Sequence, residues 1–197
     1  MEPTVKYEIE NRIMTITLNR PEKLNAYNPQ MAKELKEALD FADDNDKVRA
    51  IIVTGEGRAF CAGADLGKGS SSFAEDYTED EISDSGQGGA SLRFFQMKNP
   101  LIAAINGPAV GVGITMTLPM DYRIASTNAK IGFVFARRGI VPEAACGWFL
   151  PRLVGISKAL EWVYSGEVFS AQEALEGGLV SKVVPPEELL PAAKEFA

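Results

Sequence analysis

The chain has 197 residues, 46% of them apolar, enough for one sizeable core. Its formal net charge of −7 argues against a broad surface for nucleic acid or anionic membrane, and no apolar run approaches the roughly 18 residues of a membrane span. Histidine is absent, which removes Ser–His and Cys–His nucleophilic pairs, imidazole acid–base catalysis and the usual His/Cys zinc sites.

Proton chemistry is left to Asp, Glu, Tyr, Lys or a thiol. Cys61 and Cys146 lack paired-motif spacing, so two free thiols and no metal site are expected. The opening Met1-Glu2-Pro3-Thr4 has neither the basic–apolar pattern of a signal peptide nor the Arg-rich pattern of a transit peptide, so a cytoplasmic address is the default expectation.

Residues Val5–Glu10 and Ile13–Leu18 alternate apolar and polar around Asn11-Arg12, which predicts a β-hairpin. A polar loop over 22–28 follows. Met31, Leu35, Ala38, Leu39 and Ala42 then recur at helical spacing, with Asn28 as N-cap before Pro29. Residues 50–54 read as a short buried strand. From 67 to 90 the composition shifts to Gly, Ser and acids, which predicts a mobile loop within one domain rather than a linker. Leu101–Ile105 is a second buried strand, leading through Asn106-Gly107-Pro108 into a small-residue helix over about 110–118. Tyr122–Ser126 is strand-like, and 144–153 and 158–164 are helical. The helix Ala171–Glu176 stops at Gly177-Gly178 before a strand over 179–184. This alternation predicts a single α/β domain with repeated β-crossover units.

Two segments carry candidate chemistry. The first, Gly57-Arg58-Ala59-Phe60-Cys61-Ala62-Gly63-Ala64-Asp65-Leu66, follows a buried strand, and its small residues let backbone approach a partner closely. By itself it reads more readily as a tight strand-to-helix connection. The second runs from Ala103 to Gly113, through Asn106-Gly107-Pro108 and Gly111-Val112-Gly113. A strand, a glycine-bearing turn and a helix start leave N–H groups aimed at one point, suited to an anion or oxyanion. A dinucleotide fingerprint fits badly, because the third glycine is missing and a proline sits in the turn. Close helix–strand packing is the plainer reading of this segment alone.

Taken in order, the two segments resemble those of the enoyl-CoA hydratase/isomerase (crotonase) superfamily. The likeness extends to Asn19-Arg20-Pro21-Glu22-Lys23-Leu24-Asn25-Ala26, to Asp121-Tyr122-Arg123-Ile124-Ala125 and to residues 171–184. It implies a crotonase-like fold of repeated ββα units, with 67–90 as a variable flap and the C-terminal helices largely missing after Ala197. It implies an acyl-CoA thioester substrate, no cofactor beyond the coenzyme A of that substrate, and assembly as a homotrimer or hexamer. The Ala64 and Val112 N–H groups would form the oxyanion hole. Lys23, Leu24, Ala26, Ala62, Asp65, Leu66, Gly111 and Phe135 would line the substrate and CoA cleft, with Arg20, Lys23 and Arg58 as candidates for a basic rim. Asp65 is expected to fix its loop rather than move protons.

The hydratases of this superfamily hold one water between two glutamates. Those positions align here with Thr115 and Phe135, neither of which can transfer a proton in that role. Glu143, eight residues after Phe135, matches the single carboxylate of the superfamily's enoyl-CoA isomerases. One base suffices to shift a double bond, so Δ3-Δ2 isomerisation is the expected activity. Hydration through Glu143 alone and a catalytically silent acyl-CoA-binding relative are the alternatives, with a nucleophilic Glu143 a remote variant. Without the resemblance, Glu143 after Pro142 also reads as a helix-start acid.

Overall fold

The computed structural model describes residues 2–65 and 87–197. Nine strands are present among them: β1 Val5–Glu10, β2 Ile13–Leu18, β3 Ala50–Gly55, β4 Leu101–Ile105, β5 Ala109–Val110, β6 Tyr122–Ser126, β7 Lys130–Gly132, β8 Val168–Ser170 and β9 Lys182–Val184. The helices are α1 Pro29–Asp43, α2 Gln87–Phe95, α3 Val112–Thr115, α4 Phe135–Arg138, α5 Cys146–Val154, α6 Ile156–Ser165, α7 Ala171–Glu176 and α8 Leu189–Phe196.

The main sheet has the order β1-β2-β3-β4-β6-β9, antiparallel between β1 and β2 and parallel throughout the rest. Parallel neighbours need crossovers, and each crossover has room for a functional segment on its way back to the sheet. A smaller sheet, β5-β7-β8, is built from two such excursions, with β5 between β4 and β6, and β7 and β8 between β6 and β9.

The central strands are buried on both faces, so their residues divide by parity into two cores. Met14, Ile16, Ile51, Val53, Leu101, Ala103 and Ile105 meet Met31, Leu35 and Leu39 of α1 on one side. Ala50, Ile52, Ile102, Ala104 and Ile124 meet Leu189 and Ala193 of α8 on the other. The Asn28 side chain accepts from the Met31 N–H and caps α1, as its sequence position predicts. The Asp-Tyr-Arg segment is structural. Asp121 accepts from the Leu101 N–H at 2.8 Å, and buried Arg123 donates to the carbonyls of Leu179, Thr117 and Met120.

Several expected boundaries move. The helix expected over 110–118 is strand β5 followed by the single turn α3, because Gly111 turns the chain with φ 54° and ψ −126°. The helix expected from 144 starts at Cys146, since Ala144 and Ala145 both take left-handed backbone, at φ 53° and 57°. The strand expected over 179–184 is confined to Lys182–Val184. The loop expected over 67–90 ends earlier, with residues 87–90 inside α2; the rest of that flap lies outside the described residues. Three-residue strands such as β7 and β8 are too short to leave a periodic signal.

Candidate active site

The loops leaving β3 and β4 are stitched together by backbone. The Phe60 and Cys61 N–H groups both donate to the Pro108 carbonyl, and the Val110 N–H donates to the Cys61 carbonyl at 3.0 Å. Asn106 accepts from the Gly55 N–H and donates to the Gly57 and Ala59 carbonyls. This approach is so close that a Cβ on Gly107 would collide with the Arg58 carbonyl, and one on Gly113 with the Cys61 carbonyl. The loop after β2 adds a third layer. Ala62 donates to the Leu24 carbonyl, Tyr27 to Gly63, and Asp65 to Tyr27.

This pairing consumes many of the nearby donors and leaves out, among others, those of Ala64 and Val112. In the parallel bridge between Tyr27 and Ala64, the bonds are made by the Gly63 carbonyl and the Asp65 N–H, so the Ala64 N–H points away from the bridge. Val112 opens α3 and has no preceding turn to receive its N–H. Among the described residues, neither N–H donates to a protein acceptor.

Both residues line a cavity of about 90 Å³ together with Ala62, Gly111, Phe135, Arg138 and Glu143. Glu143 supplies its carboxyl group. Oε1 accepts from the Thr115 hydroxyl at 2.8 Å, while Oε2 is shielded from solvent and has no partner among the described residues. Burial pushes the carboxyl from its ordinary 4.5 up to about 7, against the opposing pull of the Thr115 hydrogen bond. Burial also raises the thiols, Cys61 to about 11 and Cys146 to about 12, so both stay protonated near neutral pH and are poor nucleophiles. No group of three or more His, Cys, Asp or Glu side chains is placed to hold a metal among the described residues.

Free N–H groups and a buried carboxyl on one cavity agree with the order of the sequence motifs. A model of the enoyl-CoA hydratase/isomerase family matches residues 8–197. The chain belongs to that family, within the crotonase superfamily. It is 44% identical to an enoyl-CoA hydratase of Alternaria alternata over 94% of its own length, spanning 62% of that relative. It is 35% identical to the 1,2-epoxyphenylacetyl-CoA isomerase of Escherichia coli K12, covering 96% of this chain and 72% of the other. An enoyl-CoA hydratase structure from Bacillus anthracis superposes with a TM-score of 0.87 at 34% identity, covering 98% of this chain and 74% of that one. The fold is the crotonase fold expected from the motifs.

The site residues expected from sequence divide into two groups. Ala62, Ala64, Gly111, Val112, Phe135 and Glu143 share the cavity wall. Lys23, Leu24, Ala26 and Asp65 lie outside that lining, while Leu66 falls outside the described residues. Lys23 is exposed; Leu24 and Ala26 belong to the loop layered under Ala62. Arg20 is not part of an open basic rim. Its guanidinium pairs with Asp65 at 2.8 Å and donates to the Ala26 carbonyl, tying the 20–26 loop to the segment that presents Ala64.

Two participants escaped sequence reading. Arg138 lines the cavity, whereas Arg137 packs against Gly166; nothing in the dipeptide distinguishes them. Thr115 was recognised only as a missing glutamate, yet it is the hydrogen-bond donor to Glu143. A bond across 28 residues leaves no local pattern.

Proposed function

We propose that this chain acts on acyl-CoA thioesters and shifts a 3-enoyl double bond to the 2-position, with Glu143 as the sole proton carrier. The observation that carries this reading is one carboxyl, tuned to about 7, on the same cavity wall as two uncommitted N–H groups. A base near the working pH is available to accept a proton and acidic enough to return it.

The thioester carbonyl oxygen would sit between the Ala64 and Val112 N–H groups. Glu143 removes a proton from the α-carbon, and the C–H electron pair moves through the conjugated system onto the thioester oxygen. The two N–H groups bear the developing charge of this dienolate, the step at which such donors contribute most. Glu143 then returns the proton to the γ-carbon, the electrons flow back, and a 2-enoyl thioester results. No water is consumed. Thr115 and Phe135 occupy the positions where two water-holding carboxylates would be required for the usual hydration.

Hydration is the second reading, supported by the hydratase names of relatives such as the Alternaria protein. In that case Glu143 alone would activate a water against a 2-enoyl thioester. Separate incubations with 3-enoyl-CoA and 2-enoyl-CoA distinguish the readings. Isomerisation produces 2-enoyl-CoA from the first and no hydroxyacyl product from the second. A 3-hydroxyacyl thioester formed at comparable rate would overturn the isomerase assignment.

We also propose a trimer or hexamer. Trp148, Ile156, Leu160 and Tyr164 leave apolar surface exposed on α5 and α6, in keeping with a subunit contact. Light scattering that gives a monomer at every concentration would count against it.

A further inference from the structure

The segment that bears Glu143 is lightly held by its own neighbours. Val141 is 79% exposed, Pro142 is exposed, and the two alanines that follow are left-handed. Its backbone ties run from the Ile140 N–H to the Phe135 carbonyl at 3.2 Å, from the Cys146 N–H to the Glu143 carbonyl at 2.9 Å, and from the Trp148 and Phe149 N–H groups to the Ala145 carbonyl at 2.9 and 3.1 Å. None of them fixes the carboxyl. Thr115, by contrast, is fully buried, and its N–H donates to the Gly111 carbonyl at 3.0 Å. It lies at the end of α3, the same turn whose first residue is Val112.

We propose that Thr115 is the positioning residue that registers the Glu143 carboxyl to the oxyanion donor of Val112, through the hydroxyl it donates across the cavity. This rests on Glu143 being the proton carrier. One rigid turn then carries both an oxyanion N–H and the tether of the base, so their separation is set by helix geometry rather than by the loose 140–145 segment. Among the described residues the Thr115 hydroxyl is the one donor to this carboxyl, so it alone opposes the effect of burial. The other titratable groups near the carboxyl come from the loops after β2 and β3, from α5 and from α4. Tyr27 and Cys61 on the stitched loops and Cys146 on α5 are all pushed upward by burial and stay neutral near pH 7, and the guanidinium-bearing Arg138 on α4 lines the same cavity.

The test compares Thr115→Val, which keeps shape and removes the donor, with Thr115→Ser, which restores it. The measurement is kcat/KM for 3-enoyl-CoA isomerisation across pH 5–10, with Glu143→Gln in parallel. Losing a hydrogen bond to a charged group should move the acid limb up by about one pH unit. The valine variant should then be down about fivefold at pH 7 and recover toward the wild-type rate above about pH 9. The serine variant should follow the wild-type profile. An unshifted valine profile would overturn the proposal, as would a pH-independent loss that serine shares. If Glu143→Gln itself turns over normally, the base assignment fails first, and the two failures are told apart.

Discussion

The two halves of the site are held in opposite ways. The loops that present the Ala64 and Val112 N–H groups are stitched by backbone bonds from three layers, with glycines at the contacts where a Cβ would collide. The Glu143 turn has two left-handed alanines and, among the described residues, one side-chain hydrogen bond and a carboxyl oxygen without a partner. Donors to a developing charge must be pre-organised, which a backbone network does well. A proton carrier needs a shifted affinity, which burial provides at the expense of stability and the Thr115 hydrogen bond moderates.

Breaking the weakly held half should have the largest effect. Glu143→Gln keeps the shape and removes the base, so isomerisation should fall by about 10²–10⁴, and α-proton exchange in deuterated water should vanish with it. Affinity for a CoA ligand should change little. An exchange rate equal to wild type would remove Glu143 from the mechanism.

Breaking the rigid half should cost nearly as much, but only through the backbone. Ala64→Pro deletes the N–H and should lower kcat by roughly 10²–10³. Val112→Ala retains its N–H and should stay within a few-fold. Equal damage from both, with unchanged circular dichroism, would contradict the backbone assignment.

The comparison sharpens in stability measurements. Glu143 binds its proton more tightly folded, at about 7 against 4.5. Its contribution is therefore intact below pH 4.5, is lost as the pH rises through 7, and changes no further above that. Urea unfolding should show Glu143→Gln gaining on the wild type by about 3 kcal/mol between pH 4 and pH 8. A difference independent of pH would mean that the carboxyl is ionised freely in the fold.

The smallest expected effect lies in the strained turn. Ala145→Gly removes a left-handed alanine at φ 57° and should stabilise the chain by about 0.5–1 kcal/mol, after the extra backbone entropy of glycine is set against the relief. Thermal unfolding would register it as a shift of a few degrees at most.

Sequence alone determined the strand–helix alternation, the N-cap at Asn28 and the ordered motifs that place the chain in its family, because these depend on neighbouring residues and on periodic burial. The resemblance to that family also singled out Ala64, Val112 and Glu143, which the fold brings to one cavity. Only the tertiary structure decided how they are supported. The pairing of Arg20 with Asp65 spans 45 residues and that of Thr115 with Glu143 spans 28, so each exists only once crossovers have folded back on the sheet. The shift of Glu143 toward neutrality belongs to the same class. It arises from the solvent excluded by surrounding elements, a property of the packed molecule that no local run of residues encodes.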